Sequence, residues 1–282
     1  NGCADHTLLE ISGFSKSCKM FEEILAFSAV GMVAGLLAGM FGIGGGLIIV
    51  PVLIGIFINL GFNSEIIIHL ATGSSVACII FTSLSSSNAH KKKESIDFFQ
   101  LKFVSMGIVF GAFFGAIFAG QIEGIILKIT IATFLSFIGV QSLFNIRFMK
   151  TDISVSKPKS VFAGTLIGFL SSILGIGGGT FSVPYFRATG LNLTTAIGTS
   201  AACGIPIAIF GTLGYIITGI DVELLPNLSI GYIYLPALIG ISMTSIFSAK
   251  YGAEIAHYLS QDTLRKLLAI WFIGISIYMF LL

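Results

Sequence analysis

The chain has 282 residues, of which 55% are hydrophobic and only 10% charged, with a formal net charge of +2. Soluble globules carry about 25% charged residues, so a chain this poor in charge cannot cover its own surface in water. With no basic stripe interleaved with aromatics, nucleic acid is excluded as a partner, and the 26 Phe read as lipid-facing and helix-packing bulk.

From the N-terminus, residues 1–23 form a polar segment holding Asp5, His6, Glu10, Lys16 and Lys19. It has no long apolar core, so no cleavable signal is expected. Cys3 and Cys18 flank this end and could pair in an oxidising compartment, while Cys78 and Cys203 fall inside apolar stretches, so the four cysteines do not make a disulfide framework. The first membrane repeat spans 24–146 and opens on the apolar segment 24–41.

A glycine cluster follows: Gly42, Gly44, Gly45 and Gly46 within five residues, then the short apolar piece 47–60 with Pro51 near its start. Such a run loses too much entropy on ordering to sit inside a helix. A helix therefore breaks here and restarts, aiming free N–H groups and the positive end of its dipole at the break. That arrangement suits an anion.

Segment 66–86 carries His69, the run Ala71-Thr72-Gly73-Ser74-Ser75, and Cys78. Thr72, Ser74 and Ser75 could donate to oxyanion oxygens, or bond back to their own helix. His69 is the best-placed residue for coupling transport to protons, since ionisable side chains in apolar segments are functional candidates; Glu123 and Lys128 lie near segment ends and qualify less well. His90 and His257 fall in or beside loops and are expected to be solvated. Segments 103–122 and 124–146 complete the first repeat, and the polar stretch 147–160 reads as a linker.

The second repeat, 161–282, restates the first. Gly175, Gly177, Gly178 and Gly179, with Pro184 following, match the first cluster and its Pro51 at an offset of 133. Gly198-Thr199-Ser200 and Cys203 match Gly73-Ser74-Ser75 and Cys78 at an offset of 125, so about eight residues are missing near the stretch equivalent to 59–65. Segments 161–175, 196–219, 230–249 and 264–282, with the short piece 180–190, complete the set. Cys78 and Cys203 occupy equivalent positions, as small apolar residues or as a thiol pair touching a sulfur-containing substrate.

Each half holds five apolar pieces, or three crossings if the first two make a re-entrant hairpin. Either number is odd, so the halves are expected to be inverted, an all-α membrane fold with the breaks meeting at a substrate site. Counted over five crossings, the basic residues gather on one side, Lys91, Lys92 and Lys93 among them, against Lys16, Lys19 and Lys128 on the other. The basic side is then cytoplasmic, with both termini outside. An embedded Arg187 would be suited to a sulfonate. No metal-ligand spacing, catalytic triad or phosphate-binding Gly-Lys-Ser/Thr loop is present, and no cofactor and no enzymatic role are expected.

On Gly42–Gly46 with Pro51, Gly175–Gly179 with Pro184, the Gly73-Ser74-Ser75 and Gly198-Thr199-Ser200 motifs, and the Lys-rich loop preceded by His90, residues 25–282 resemble the TauE/SafE family of sulfite exporters and sulfonate permeases. The resemblance implies a plasma-membrane transporter of small sulfur oxyanions or organosulfonates. Its partners would be the anion, membrane lipid and, for a coupled carrier, protons, with homo-oligomerisation open. A channel-like anion pore and a non-transporting sensor or assembly module are the alternatives.

Overall fold

The computed structural model describes residues 22–40, 45–144, 156–255 and 261–281. The segment 1–21, Gly42, Gly44, most of the linker and His257 lie outside the described residues.

The described chain is helical almost throughout. Five helices come from each half: α1 (Glu22–Met40), α2 (Gly46–Asn59), α3 (Ser64–Lys92), α4 (Phe98–Gln121) and α5 (Gly124–Phe144), then α6 (Lys157–Leu174), α7 (Gly179–Ala188), α8 (Leu193–Gly219), α9 (Leu235–Ile255) and α10 (Gln261–Leu281). Helices α1, α3, α4, α5 and α8 are long and apolar enough to cross a bilayer. The fold is that of an all-α membrane protein.

Local chemistry sets the helix starts. Asn63 and Asn192 stand at equivalent places before α3 and α8, and each side chain accepts a backbone N–H of the first turn, from Glu65 and Thr195. Asp97 does the same for α4 through the Gln100 N–H. The missing eight residues are shared between two elements. Helix α7 has 10 residues against 14 in α2, and α8 starts five residues before Gly198 where α3 starts nine before Gly73. About one turn leaves each helix, which keeps the buried faces in register.

One apolar stretch is not wholly helical. Residues 229–234, at the start of the expected segment 230–249, form a tight antiparallel hairpin, Ser229–Ile230 with Ile233–Tyr234, before α9 begins. Its turn needs Gly231 at φ +53°, and that glycine packs on the backbone of Tyr215 and Ile216.

Packing between the halves is reciprocal. The α4 glycines Gly107 and Gly111 press on α6 at Val161–Thr165 and Thr165–Phe169, so these helices run parallel. Gly31 and Gly35 of α1 meet α9 at Ile241–Thr244 and Ser245–Ser248, again parallel. By contrast, α3 and α8 are antiparallel: Gly73 faces Tyr215, Gly211 faces Val76 and Gly204 faces Ser83. Helices α5 and α10 are antiparallel too, joined where Ser136 pairs with Ser276 at 2.6 Å.

Helices α2 and α7 fold back on their predecessors. Gly45 lies against Ala34 and Ala38 while Phe57, the twelfth residue of α2, stacks edge-on to Phe27 near the start of α1. Likewise Gly178 faces Ser171 and Ile167, whereas the Tyr185 hydroxyl donates to Ser160 near the start of α6. Each pair returns the chain to the end where it entered.

The two ends of the bundle differ in charge. Thr199 bonds Asp97, Thr189 bonds Gln100, and the Lys157 ammonium lies over Phe103, so the ends of α3, α7 and α9 and the starts of α4, α6 and α8 share one end. That end collects Lys91–Lys93, Lys102, Lys157, Lys159, Arg187 and Lys250. Glu23, Glu65 and Glu123 sit at the other, with Tyr234 and Gly124.

Candidate functional site

The described parts of the two glycine breaks touch each other. Gly46, the first residue of α2, has the Gly175 carbonyl oxygen 2.2 Å from where a Cβ would sit, and the Ile176 Cα at 2.8 Å. No side chain larger than hydrogen fits there. Gly45 and Gly178, the N-cap residues of α2 and α7, adopt matching left-handed conformations at φ +77° and +78°, and neither helix start has a side-chain cap. The first N–H groups of both helices therefore point out of their helices into the break. Pro51 and Pro184 sit at the same distance into α2 and α7 and add no N–H of their own.

On the other side of the break, α6 ends in a Schellman arrangement. Gly175 takes the left-handed conformation, its N–H bonds the Ser172 carbonyl, and the Ile176 N–H reaches the Ser171 carbonyl at 2.9 Å. The remaining residues up to Gly179 are the open stretch, with the Gly177 carbonyl 3.4 Å from where a Cβ on Gly204 would sit.

The motifs of α3 and α8 serve the packing of the opposite half. Gly73 and Gly198 each receive a loop carbonyl, Tyr232 O and Ser95 O, at about the same close approach: 2.2 and 2.1 Å from a hypothetical Cβ. The next residues, Ser74 and Thr199, each accept a backbone N–H from that loop, Tyr234 N and Asp97 N, both at 2.9 Å. Ser75 donates to the Gly175 carbonyl at 2.8 Å, and Ser200 pairs with Ser182 of α7 at 2.7 Å. Thr72 bonds back to the Ile68 carbonyl, and its methyl lies against Gly175. Thus Thr72, Ser75 and Ser200 border the breaks or α7, while Ser74 and Thr199 hold the loops in front of them.

Other sequence candidates are farther away. Arg187 is exposed in the last turn of α7, where its guanidinium donates to the Leu191 carbonyl. Eight residues of helix separate it from Gly179, about 12 Å at 1.5 Å per residue. Cys78 and Cys203 are both buried but belong to separate apolar clusters, so the two thiols are not brought together. His69 lies one turn before Thr72; its Nε2 bonds the Ile122 carbonyl at 2.9 Å, its ring stacks on Tyr232, and Nδ1 is buried with no partner. His90 departs from expectation: it is 3% exposed rather than solvated, because α3 runs on to Lys92 and presses His90 against Gly198. Among the described residues, no cluster of His, Cys, Asp and Glu has metal-binding geometry.

Sequence reasoning did not single out Ser171, Ser172 and Thr180. They flank the second break, and their hydroxyls are buried without a hydrogen-bond partner. The sole sequence signal was position, since Ser171 and Ser172 immediately precede the cluster and Thr180 immediately follows it.

A groove of about 560 Å³ opens between α3 and α9 at the lysine-rich end, lined by Phe81, Ser85, Lys92, Lys93, Lys250 and Tyr251 among others.

Residues 27–279 match the family model described as sulfite exporter TauE/SafE. The chain belongs to the TauE/SafE family. A probable membrane transporter protein of Haemophilus influenzae is 38% identical over 263 residues, covering 93% of this chain and all of that relative. Probable membrane transporter proteins of Methanocaldococcus jannaschii and Bacillus subtilis are 27% and 28% identical, covering 85% and 70% of this chain and 89% and 81% of their own lengths. No solved structure matches the chain. The protein is accordingly a multi-pass membrane transporter of the TauE/SafE type, and its glycine breaks are features of a transporter.

Proposed function

We propose that this TauE/SafE protein is a secondary transporter that exports small sulfur oxyanions such as sulfite, or organosulfonates, across the plasma membrane. The two halves act as inverted repeats around the paired breaks. The observation that carries the reading is the contact of Gly46 with the Gly175 carbonyl, which brings the start of α2 onto the break of the other half. Two uncapped helix N-termini in a site with no fixed charge favour an anion yet let it leave, as transport requires. Inversion is supported by the antiparallel packing of α3 on α8 and α5 on α10.

The lysine-rich end is read as cytoplasmic and the carboxylate-bearing end, with both termini, as external. On this reading α1–α2 and α6–α7 enter from opposite faces, and α2 and α7, with 14 and 10 residues, are too short to cross alone. Irregular backbone at that depth is tolerable only against protein or a water-filled cavity. Proteoliposome flux of sulfite, sulfoacetate, thiosulfate, sulfate and lactate, with and without a pH gradient, tests the proposal. Saturable flux of the sulfur anions is expected, and no flux of any of them would overturn it; ohmic, non-saturating flux would point to a pore.

A further inference from the structure

The two glycine breaks look alike in sequence, yet among the described residues the second carries unpartnered hydroxyls at positions where the first has no hydroxyl. Ser171 and Ser172 are 0% exposed, and neither hydroxyl has a hydrogen-bond partner; the Thr180 hydroxyl is buried and unpartnered as well. Ser171 Oγ lies 3.4 Å from where a Cβ on Gly178 would sit, so it is aimed at the N-cap of α7. Thr180 is the second residue of that same helix. Buried hydroxyls are ordinarily satisfied, and serines inside helices ordinarily bond back to the preceding turn. Ser171 and Thr180 do neither.

At the offset of 133, the counterparts of Ser171, Ser172 and Thr180 in the first half are Ala38, Gly39 and Leu47. Leu47 is itself buried in the apolar core. At these aligned positions the start of α2 has no side-chain donor, whereas the start of α7 has the Thr180 hydroxyl beside its N–H groups and Ser171 aimed at its N-cap. A buried hydroxyl without a partner costs free energy, and an acceptor oxygen placed against it recovers that cost.

We infer that the anion is held off the pseudo-symmetry axis, in a subsite made by the first turn of α7 with the hydroxyls of Ser171 and Thr180. This rests on the anion-transport reading above and adds where the anion sits and what it must be. Two hydroxyls and a helix start at different bearings suit an anion with several acceptor oxygens, a small oxyanion such as sulfite, better than a halide with one acceptor centre. The unpartnered Ser172 hydroxyl faces Gly211 on α8.

The test is sulfite flux into proteoliposomes containing the full chain, comparing the wild type with Ser171→Ala, Thr180→Val, Thr180→Ser and the first-half variant Ala38→Ser. A hydrogen bond to a charged ligand is strong enough that each of the first two should raise KM by about tenfold or more, with maximal rate less affected. Thr180→Ser, which keeps the hydroxyl, restores the wild-type KM, and Ala38→Ser leaves it unchanged. Wild-type KM in both Ser171→Ala and Thr180→Val would overturn the subsite and leave the transport reading standing. A wild type that moves no sulfur anion would overturn both. If Ser171→Ala does not fold, as judged by gel filtration, the Thr180→Val and Thr180→Ser pair decides, and a Thr180→Ser that behaves like Thr180→Val counts against the assignment.

Discussion

Ser75 in α3 donates its hydroxyl to the carbonyl of Gly175 at 2.8 Å, tying the central helix of one half to the break of the other. Both groups are buried, and Gly175 is also the residue on which Gly46 rests. Replacing Ser75 by Ala removes the donor without changing the volume much and leaves a buried carbonyl short of a partner. The expected loss is about 1–3 kcal/mol of stability, read as a lowered unfolding midpoint in detergent. An unchanged midpoint together with unchanged flux would show that this bond does not hold the break.

The break conformation itself can be tested at Gly45 and Gly178. Both need a positive φ, and a Cβ on Gly178 would stand 2.3 Å from Ile207 Cδ1, while one on Gly45 would stand 2.9 Å from the Ala34 carbonyl. A β-branched residue in the left-handed region is strained whatever the space, by about 1–3 kcal/mol. Gly45→Val and Gly178→Val should insert and yet lose anion flux, measured in proteoliposomes against protein content. Full transport by both variants would remove the breaks from the mechanism.

How far the sequence carried the structure differs from feature to feature. The five apolar pieces per half emerge as five helices per half, because a charge-poor run near twenty residues has few other ways to bury its backbone. The glycine clusters were legible as helix breaks, and Gly45 and Gly178 take the left-handed N-cap conformation that only glycine adopts readily. The meaning of Gly73-Ser74 and Gly198-Thr199 was not legible. Their glycine admits a loop carbonyl and their hydroxyl accepts a loop N–H from the opposite half, contacts between residues more than 100 positions apart. His90 was misplaced for a similar reason: charge marked the loop, but helix α3 extends through it to Lys92. Ser171 and Thr180 escaped notice because a lone hydroxyl in an apolar run looks the same whether its helix satisfies it or not.

The charge asymmetry of the bundle ends makes a labelling prediction. Cysteines placed at Lys93 or Arg187 should react with impermeant reagents only from the cytoplasmic face, and those placed at Glu123 or Asp221 only from outside, in a background with Cys3 and Cys18 replaced. Cys78 and Cys203 are fully buried and should contribute little labelling. Arg187→Gln should also shift the KM for sulfite by less than about twofold, since an exposed group some 12 Å along the helix from Gly179 is screened by solvent. A tenfold rise in KM would bring Arg187 back to the substrate, and cytoplasmic labelling at Glu123 would reverse the orientation.

His69 provides the remaining test, because it is held between Ile122 of the first half and Tyr232 of the second, one turn from Thr72. Its Nε2 contacts the Ile122 carbonyl, its ring lies on Tyr232 at 5.0 Å between centroids, and Tyr232 in turn packs its carbonyl on Gly73. With Nε2 as the donor, Nδ1 is a buried acceptor without a partner. Protonation would place a charge against the hairpin that precedes α9, and so link proton arrival to packing between the halves. His69→Gln keeps a donor for the Ile122 carbonyl but cannot become charged. In this variant, exchange of sulfite across a membrane without a pH gradient should continue, while stimulation by an imposed gradient should vanish. Equal stimulation in variant and wild type would exclude His69 as the coupling residue, and loss of both activities would assign it to holding the hairpin instead.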